Sequence, residues 1–220
     1  MIPQISDAVR CVHGTAPGTR KIRERLLTQR AARCLAAIRE SGFCERYATE
    51  VHVGPVSEAR RPEIMEVVVG NDWHRVQSAS QGNVRVLGDF AAFDDALNFL
   101  YWQALESMDQ LCKIDAFVSE RPSDNLPDWE WRVAYLKQAL RARGIRQGIK
   151  ADVDREAASG WRYVLTGKPD PSARMPGPGW YDVFEPRHPK DKHVARIYHS
   201  GDAIKFVFYQ LSEEKRCSGS

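Results

Sequence analysis

Apolar residues recur along this chain with two different periods, and the period changes from segment to segment. Between residues 20 and 41, Ile22, Leu26, Leu27, Cys34, Leu35 and Ile38 fall at three- and four-residue spacing. That spacing predicts a helix, with Gly42 as its stop. Three short runs follow, Ile64 to Val69, Trp73 to Ser78 and Val84 to Leu87, rich in β-branched and aromatic residues. With a turn at Gln81-Gly82-Asn83 they predict a small antiparallel meander. From about Ala91 to Cys112 the helical period returns through Phe93, Leu97, Leu100, Ala104, Met108 and Leu111. Asp94 and Asp95 sit in the first turn of that helix, where carboxylates favour the positive end of its dipole.

A second central helix is predicted from Trp129, Val133, Leu136 and Leu140, with Trp131 and Tyr135 on another side and Gly144 and Gly148 at its end. A short helix near 151 to 158 is compatible with the pattern. Residues 167 to 179 hold four prolines and three glycines, which predicts a loop because proline lacks an amide donor and glycine is entropically costly to order. Beyond it, Trp180 to Phe184, His193 to His199 and Ala203 to Leu211 alternate as strands, with Ser200-Gly201-Asp202 as the last turn. No internal repeat is evident. The expected fold is α+β: an N-terminal helix, a small antiparallel sheet, two central helices and a C-terminal three-stranded antiparallel meander. The expected organisation is a core domain over 1–166, the Pro/Gly loop over 167–179, and a meander over 180–220 packed on the same core.

Charge is segregated along these elements. Residues 89 to 130 carry ten Asp and Glu against Lys113 and Arg121, whereas 132 to 150 carry six Arg and Lys and no acid. Such separation steers partners of opposite sign, and it also arises when acidic and basic helices pack together. At 100° per residue, Asp95, Trp102, Glu106 and Asp109 fall on the side of their helix opposite the apolar stripe, with Asp94 at the edge. A tryptophan among carboxylates fits an anchor for a basic protein partner. Packing of Trp102 beneath another helix is the alternative.

The common cofactor and nucleotide signatures are missing, and no cofactor is expected. The cysteines at 11, 34, 44, 112 and 217 lack the paired spacing of zinc ribbons or disulfide scaffolds, so no metal is expected and the thiols are read as small hydrophobes. Cys11-x-His13 is read as structural. The best catalytic candidates are His188, His193 and His199, near Lys190, Asp191, Lys192 and Arg196. That set could serve metal-free chemistry on a phosphodiester or nucleotide. Arg23, Arg30, Arg33 and Arg39 make the N-terminal helix basic, but no helix-turn-helix pattern favours nucleic acid. No run approaches the roughly 20 apolar residues of a membrane span. Met1 to Asp7 has no secretory signal pattern, so the cytoplasm is the expected compartment.

The run Asp95-Ala96-Leu97-Asn98-Phe99-Leu100-Tyr101-Trp102 resembles the acidic, Leu-rich, Tyr-Trp helix of the immunity protein 63 family. Arg132, Tyr135 and Gln138 are similar to its next helix, and a meander before the first helix agrees. The likeness covers about residues 64 to 143. The family's Glu-Arg-Gly in the meander has no counterpart beyond Gly82. The resemblance implies a protein of bacterial competition that binds and neutralises a toxin, without catalysis.

Overall fold

The computed structural model describes residues 20–55, 63–70, 72–107, 128–145, 149–151, 162–170, 178–186 and 192–218. The fold is α+β, and the chain divides into two compact units, Met1–Leu111 and Cys112–Ser220. This division differs from the expected boundary at 166–180, because the strands on either side of the Pro/Gly segment pair with each other.

In the first unit, helix α1 (Arg20–Glu40) and the short α2 (Phe43–Arg46) precede β1 (Thr49–Gly54), β2 (Glu63–Val69), β3 (His74–Ser80), β4 (Asn83–Phe90) and α3 (Phe93–Ser107). The strands lie in the order β1-β2-β3-β4. β1 is parallel to β2, and the other pairs are antiparallel. Side chains alternate across a sheet, and one face is covered by helix: His74 meets Phe93, and Phe90 meets Phe99 at 5.0 Å between ring centroids. Val67 and Val76 are fully buried on that face. The thiol of Cys34 in α1 donates to the Leu97 carbonyl of α3. Burial in apolar surroundings pushes that thiol up to about 12.

The second unit repeats this order. Helix α4 (Asp128–Ala142) leads into β5 (Ile149–Ala151), β6 (Tyr163–Pro169), β7 (Pro178–Glu185), β8 (Lys192–His199) and α5 (Ser200–Ser218). β5 is parallel to β6, and β6, β7 and β8 are antiparallel. Trp129 of α4 packs on Tyr181 of β7 with ring centroids 4.7 Å apart. Its indole also lies so close to Gly167 that a Cβ there would sit 2.9 Å from it.

The correspondence extends to single residues. His74↔Phe90, Arg75↔Asp89, Val76↔Gly88 and Gln77↔Val86 in β3 and β4 match Tyr181↔Ile197, Asp182↔Arg196, Val183↔Ala195 and Phe184↔His193 in β7 and β8. Each ladder carries a β-bulge at the same step, leaving Leu87 or Val194 as the extra residue. Without a gap, Trp73, Val76, Asp95, Ala96, Phe99 and Gln103 coincide with identical residues at 180, 183, 202, 203, 206 and 210. The chain is therefore an internal duplication of an α-β-β-β-β-α unit, contrary to the expectation of no repeat.

Two further expectations are corrected. Ala203 to Leu211 is not a strand but the centre of α5, so the C-terminal segment is not a three-stranded meander. Ala203, Ile204, Val207, Phe208 and Leu211 are all buried, at helical spacing, and Phe206 joins them. A short apolar run of this kind reads equally well at period two. The Gly201 amide, an orphan donor at the helix start, donates to His199 Nδ1 instead of closing a hairpin. Gly167–Pro169 ends β6 and Pro178–Gly179 begins β7, so only 171–177 of the expected loop lies outside the described strands and is not described. The strands β1, β5 and β6 had no counterpart in the sequence reading. Most of the short helix expected at 151–158 lies outside the described residues.

Candidate functional site

Helix α3 has a broad buried side comprising Phe93, Ala96, Leu97, Phe99, Leu100, Tyr101, Ala104 and Leu105. Asp95, Trp102 and Glu106 lie half-exposed on the remaining side. The structure thus brings together three of the five residues expected to contact a partner. Asp94 behaves differently, because its carboxylate accepts a 2.5 Å hydrogen bond from Arg30 of α1. This ion pair ties α1 to α3. Asp109 lies outside the described residues, as do Met108 and Leu111 of the expected stripe.

The three candidate histidines do not form one group among the described residues. His188, Lys190 and Asp191 lie outside them, as do Cys11 and His13. His193 and His199 stand at opposite ends of β8, six strand steps or about 20 Å apart. Among the described residues, no three His, Cys, Asp or Glu side chains are placed to hold a metal ion.

His193 belongs to a cluster that sequence reading did not find. Its Nε2 donates to Asp182 Oδ1 at 2.9 Å, because an ionised carboxylate can only accept. Arg196 binds the same carboxylate with two hydrogen bonds, Nε to Oδ1 at 2.7 Å and Nη2 to Oδ2 at 3.0 Å. Burial acts to raise the Asp182 carboxyl. The hydrogen bonds and charges of Arg196 and His193 outweigh it and hold the group below its ordinary range.

The same face of the second unit carries two more cross-strand sets, on the side opposite Tyr181, against which Trp129 of α4 packs. Trp180 is paired with Lys168 across β6 and touches Tyr198 with ring centroids 5.3 Å apart. Phe184 is paired with Val164 and stacks against His193 at 4.8 Å. In the first unit the corresponding face is built differently. Gln77 donates to Glu66 at 2.7 Å, both being buried, and His52 stands beside Glu66 in the parallel register. Glu50 Oε2 on that face is buried without a hydrogen-bond partner among the described residues. Only the alternation of each strand hints at these rows, and a sequence does not reveal which strands pair.

Helix α1 contributes a basic surface with Arg33 and Arg39 exposed. Among the described residues no helix is long and apolar enough to cross a membrane. No protein-family model, no curated protein and no solved structure matches this chain.

Proposed function

We propose that this chain is a cognate-binding inhibitor of the immunity type, which neutralises a bacterial toxin by protein–protein contact. The observation that carries the reading is the half-exposed Trp102 between Asp95 and Glu106, on the strip of α3 that its eight buried residues leave open. An aromatic side chain ringed by carboxylates supplies an apolar anchor and selects a basic partner surface. The likeness of residues 95–102 to the immunity protein 63 helix supports the same conclusion. The test is co-expression with the C-terminal domain of a polymorphic toxin encoded beside this chain's gene. Protection of growth, together with a stable complex of the two proteins, is the expected result. Unrelieved toxicity with both proteins soluble would sink the proposal.

A second reading is a metal-free phosphodiesterase or nucleotide-acting enzyme. The observation in its favour is the His193–Asp182 hydrogen bond beside Arg196, since a carboxylate that orients an imidazole is a general-base arrangement. Hydrolysis of an RNA or a nitrophenyl phosphodiester that His193→Gln abolishes in a folded protein would make this reading the leading one.

A further inference from the structure

The duplication supplies an internal control for what the fold itself requires. Positions that face the helices keep their character in both copies: Val76 and Val183, Ala96 and Ala203, Phe99 and Phe206 are all buried. On the opposite face, which none of the described helices covers, the copies share a tryptophan, Trp73 or Trp180, and a cross-strand ion pair, and they diverge around them. Phe184 and His193 of the second unit stand where the first unit has Gln77 and Val86, and Tyr198 extends β8 at a position where the first unit, at Ala91, has already left its strand. The first unit forms the same bulge with Gln77 and Val86 there, so the fold does not require the Phe184–His193 pair. Trp180 nonetheless remains 38 % exposed and the Arg196 side chain 48 % exposed.

From this contrast, and from the rings and cations set along the strands, we propose that the face of β6, β7 and β8 that no described helix covers binds single-stranded nucleic acid. Trp180 and Phe184 lie four strand steps apart, about 13 Å, far enough for two bases to stack independently. Tyr198 flanks the first ring and His193 the second. Lys168 lies beside Trp180, and Arg196 runs along the middle row, each able to meet a backbone phosphate. Asp182, the carboxylate of the middle row, is only 10 % exposed and is already paired with Arg196 and His193. Its charge is therefore balanced within the face. Aromatic rings alternating with cations on an antiparallel sheet form a stacking platform that tolerates any base sequence. The inference does not depend on the toxin-binding reading, which uses α3.

The experiment is fluorescence anisotropy of the full chain with labelled 15-nucleotide dT and U strands, alongside quenching of tryptophan emission. Binding in the micromolar range at low salt is expected, weakening as salt rises. Trp180→Ala should weaken it about tenfold or more, and the exposed Lys168→Glu should weaken it at least severalfold. Trp73→Ala, at the equivalent place in the first unit, should leave it unchanged. Absence of binding at 100 µM protein in low salt overturns the proposal. So does binding that neither Trp180→Ala nor Lys168→Glu alters. Binding of poly-glutamate that the oligonucleotides fail to displace overturns it in favour of an acidic protein partner. Should Trp180→Ala fail to fold, Lys168→Glu and the quenching of the native protein decide.

Discussion

Arg75 grips Asp89 across β3 and β4 through two parallel hydrogen bonds, Nε to Oδ1 at 2.7 Å and Nη2 to Oδ2 at 3.0 Å. The second unit makes the same bidentate contact at the same place in its ladder, with the charges exchanged between the strands: Asp182 on β7 and Arg196 on β8. What the duplicated fold retains there is a cross-strand ion pair, with no preference for which strand carries the acid. In the first unit the hydrogen bond from Arg75 to Asp89 holds the guanidinium more firmly charged.

This relationship predicts the outcome of a charge swap. Arg75→Asp alone would set two carboxylates opposite each other, costing about 1 kcal/mol. Adding Asp89→Arg recreates the arrangement of the second unit and should restore stability. Arg75 is 49 % exposed, so the coupling energy should be modest, about 0.5–1 kcal/mol. A double-mutant cycle in urea measures it. Strictly additive losses would mean that the pair contributes no coupling.

Asp182 should dominate the acid limb of stability. Its folded-state pKa lies below the unfolded value, so the unfolded chain takes up the proton first as pH falls. The stabilisation is complete above the unfolded carboxyl range near pH 4 and is lost as pH drops through the folded value. Asp182→Asn should cost about 1–2 kcal/mol at pH 7, reflecting lost charge-assisted hydrogen bonds to a guanidinium that water can partly rehydrate. The variant should then lose less than the wild type between pH 5 and 3. Denaturation curves collected across that range give the comparison, and parallel losses would assign the acid limb to other groups.

Gly167 is fixed by its neighbour. A Cβ would press on the Trp129 indole, which also packs against Tyr181, the cross-strand partner of Gly167. Gly167→Ala should therefore destabilise the protein by about 1–3 kcal/mol, the cost of overpacking. The smaller ring of Trp129→Phe should return part of that loss in the double variant. A thermal midpoint for Gly167→Ala equal to the wild type would show that the indole can move aside.

The sequence pattern made α3 and α4 legible because each carries a long apolar stripe at one period. It misassigned 203–211, although the same pattern at 95–105 was recognised as helical. Lys205 and Tyr209 alternate with Ile204, Phe206 and Phe208, and nothing within that run excludes period two. Misreading one copy concealed the duplication. The half-exposed trio Asp95, Trp102 and Glu106 was legible because helix geometry alone sets its side. The Arg30–Asp94 pair and the Asp182–Arg196–His193 cluster were not, since each joins elements whose pairing only the folded chain defines.

The pairing of Asp94 sharpens what should happen at the proposed toxin-binding surface. Asp94→Asn removes half of a contact between α1 and α3, so it should lower stability and leave partner affinity nearly unchanged. Trp102→Ala removes an anchor from the centre of the surface. Loss of such an anchor typically costs about 2 kcal/mol, or roughly thirtyfold in affinity, and appears mainly in the dissociation rate. Glu106→Lys changes a charge instead, so it should slow association at low salt and weaken its salt dependence. Surface plasmon resonance with a basic toxin domain separates these rates, and circular dichroism verifies the fold of each variant. Trp102 is half-buried, so Trp102→Phe provides a variant that keeps most of the packing while altering the anchor. If all folded variants bind at wild-type rates, α3 is not the contact surface. If Trp102→Ala alone unfolds, Glu106→Lys and Trp102→Phe still decide the matter.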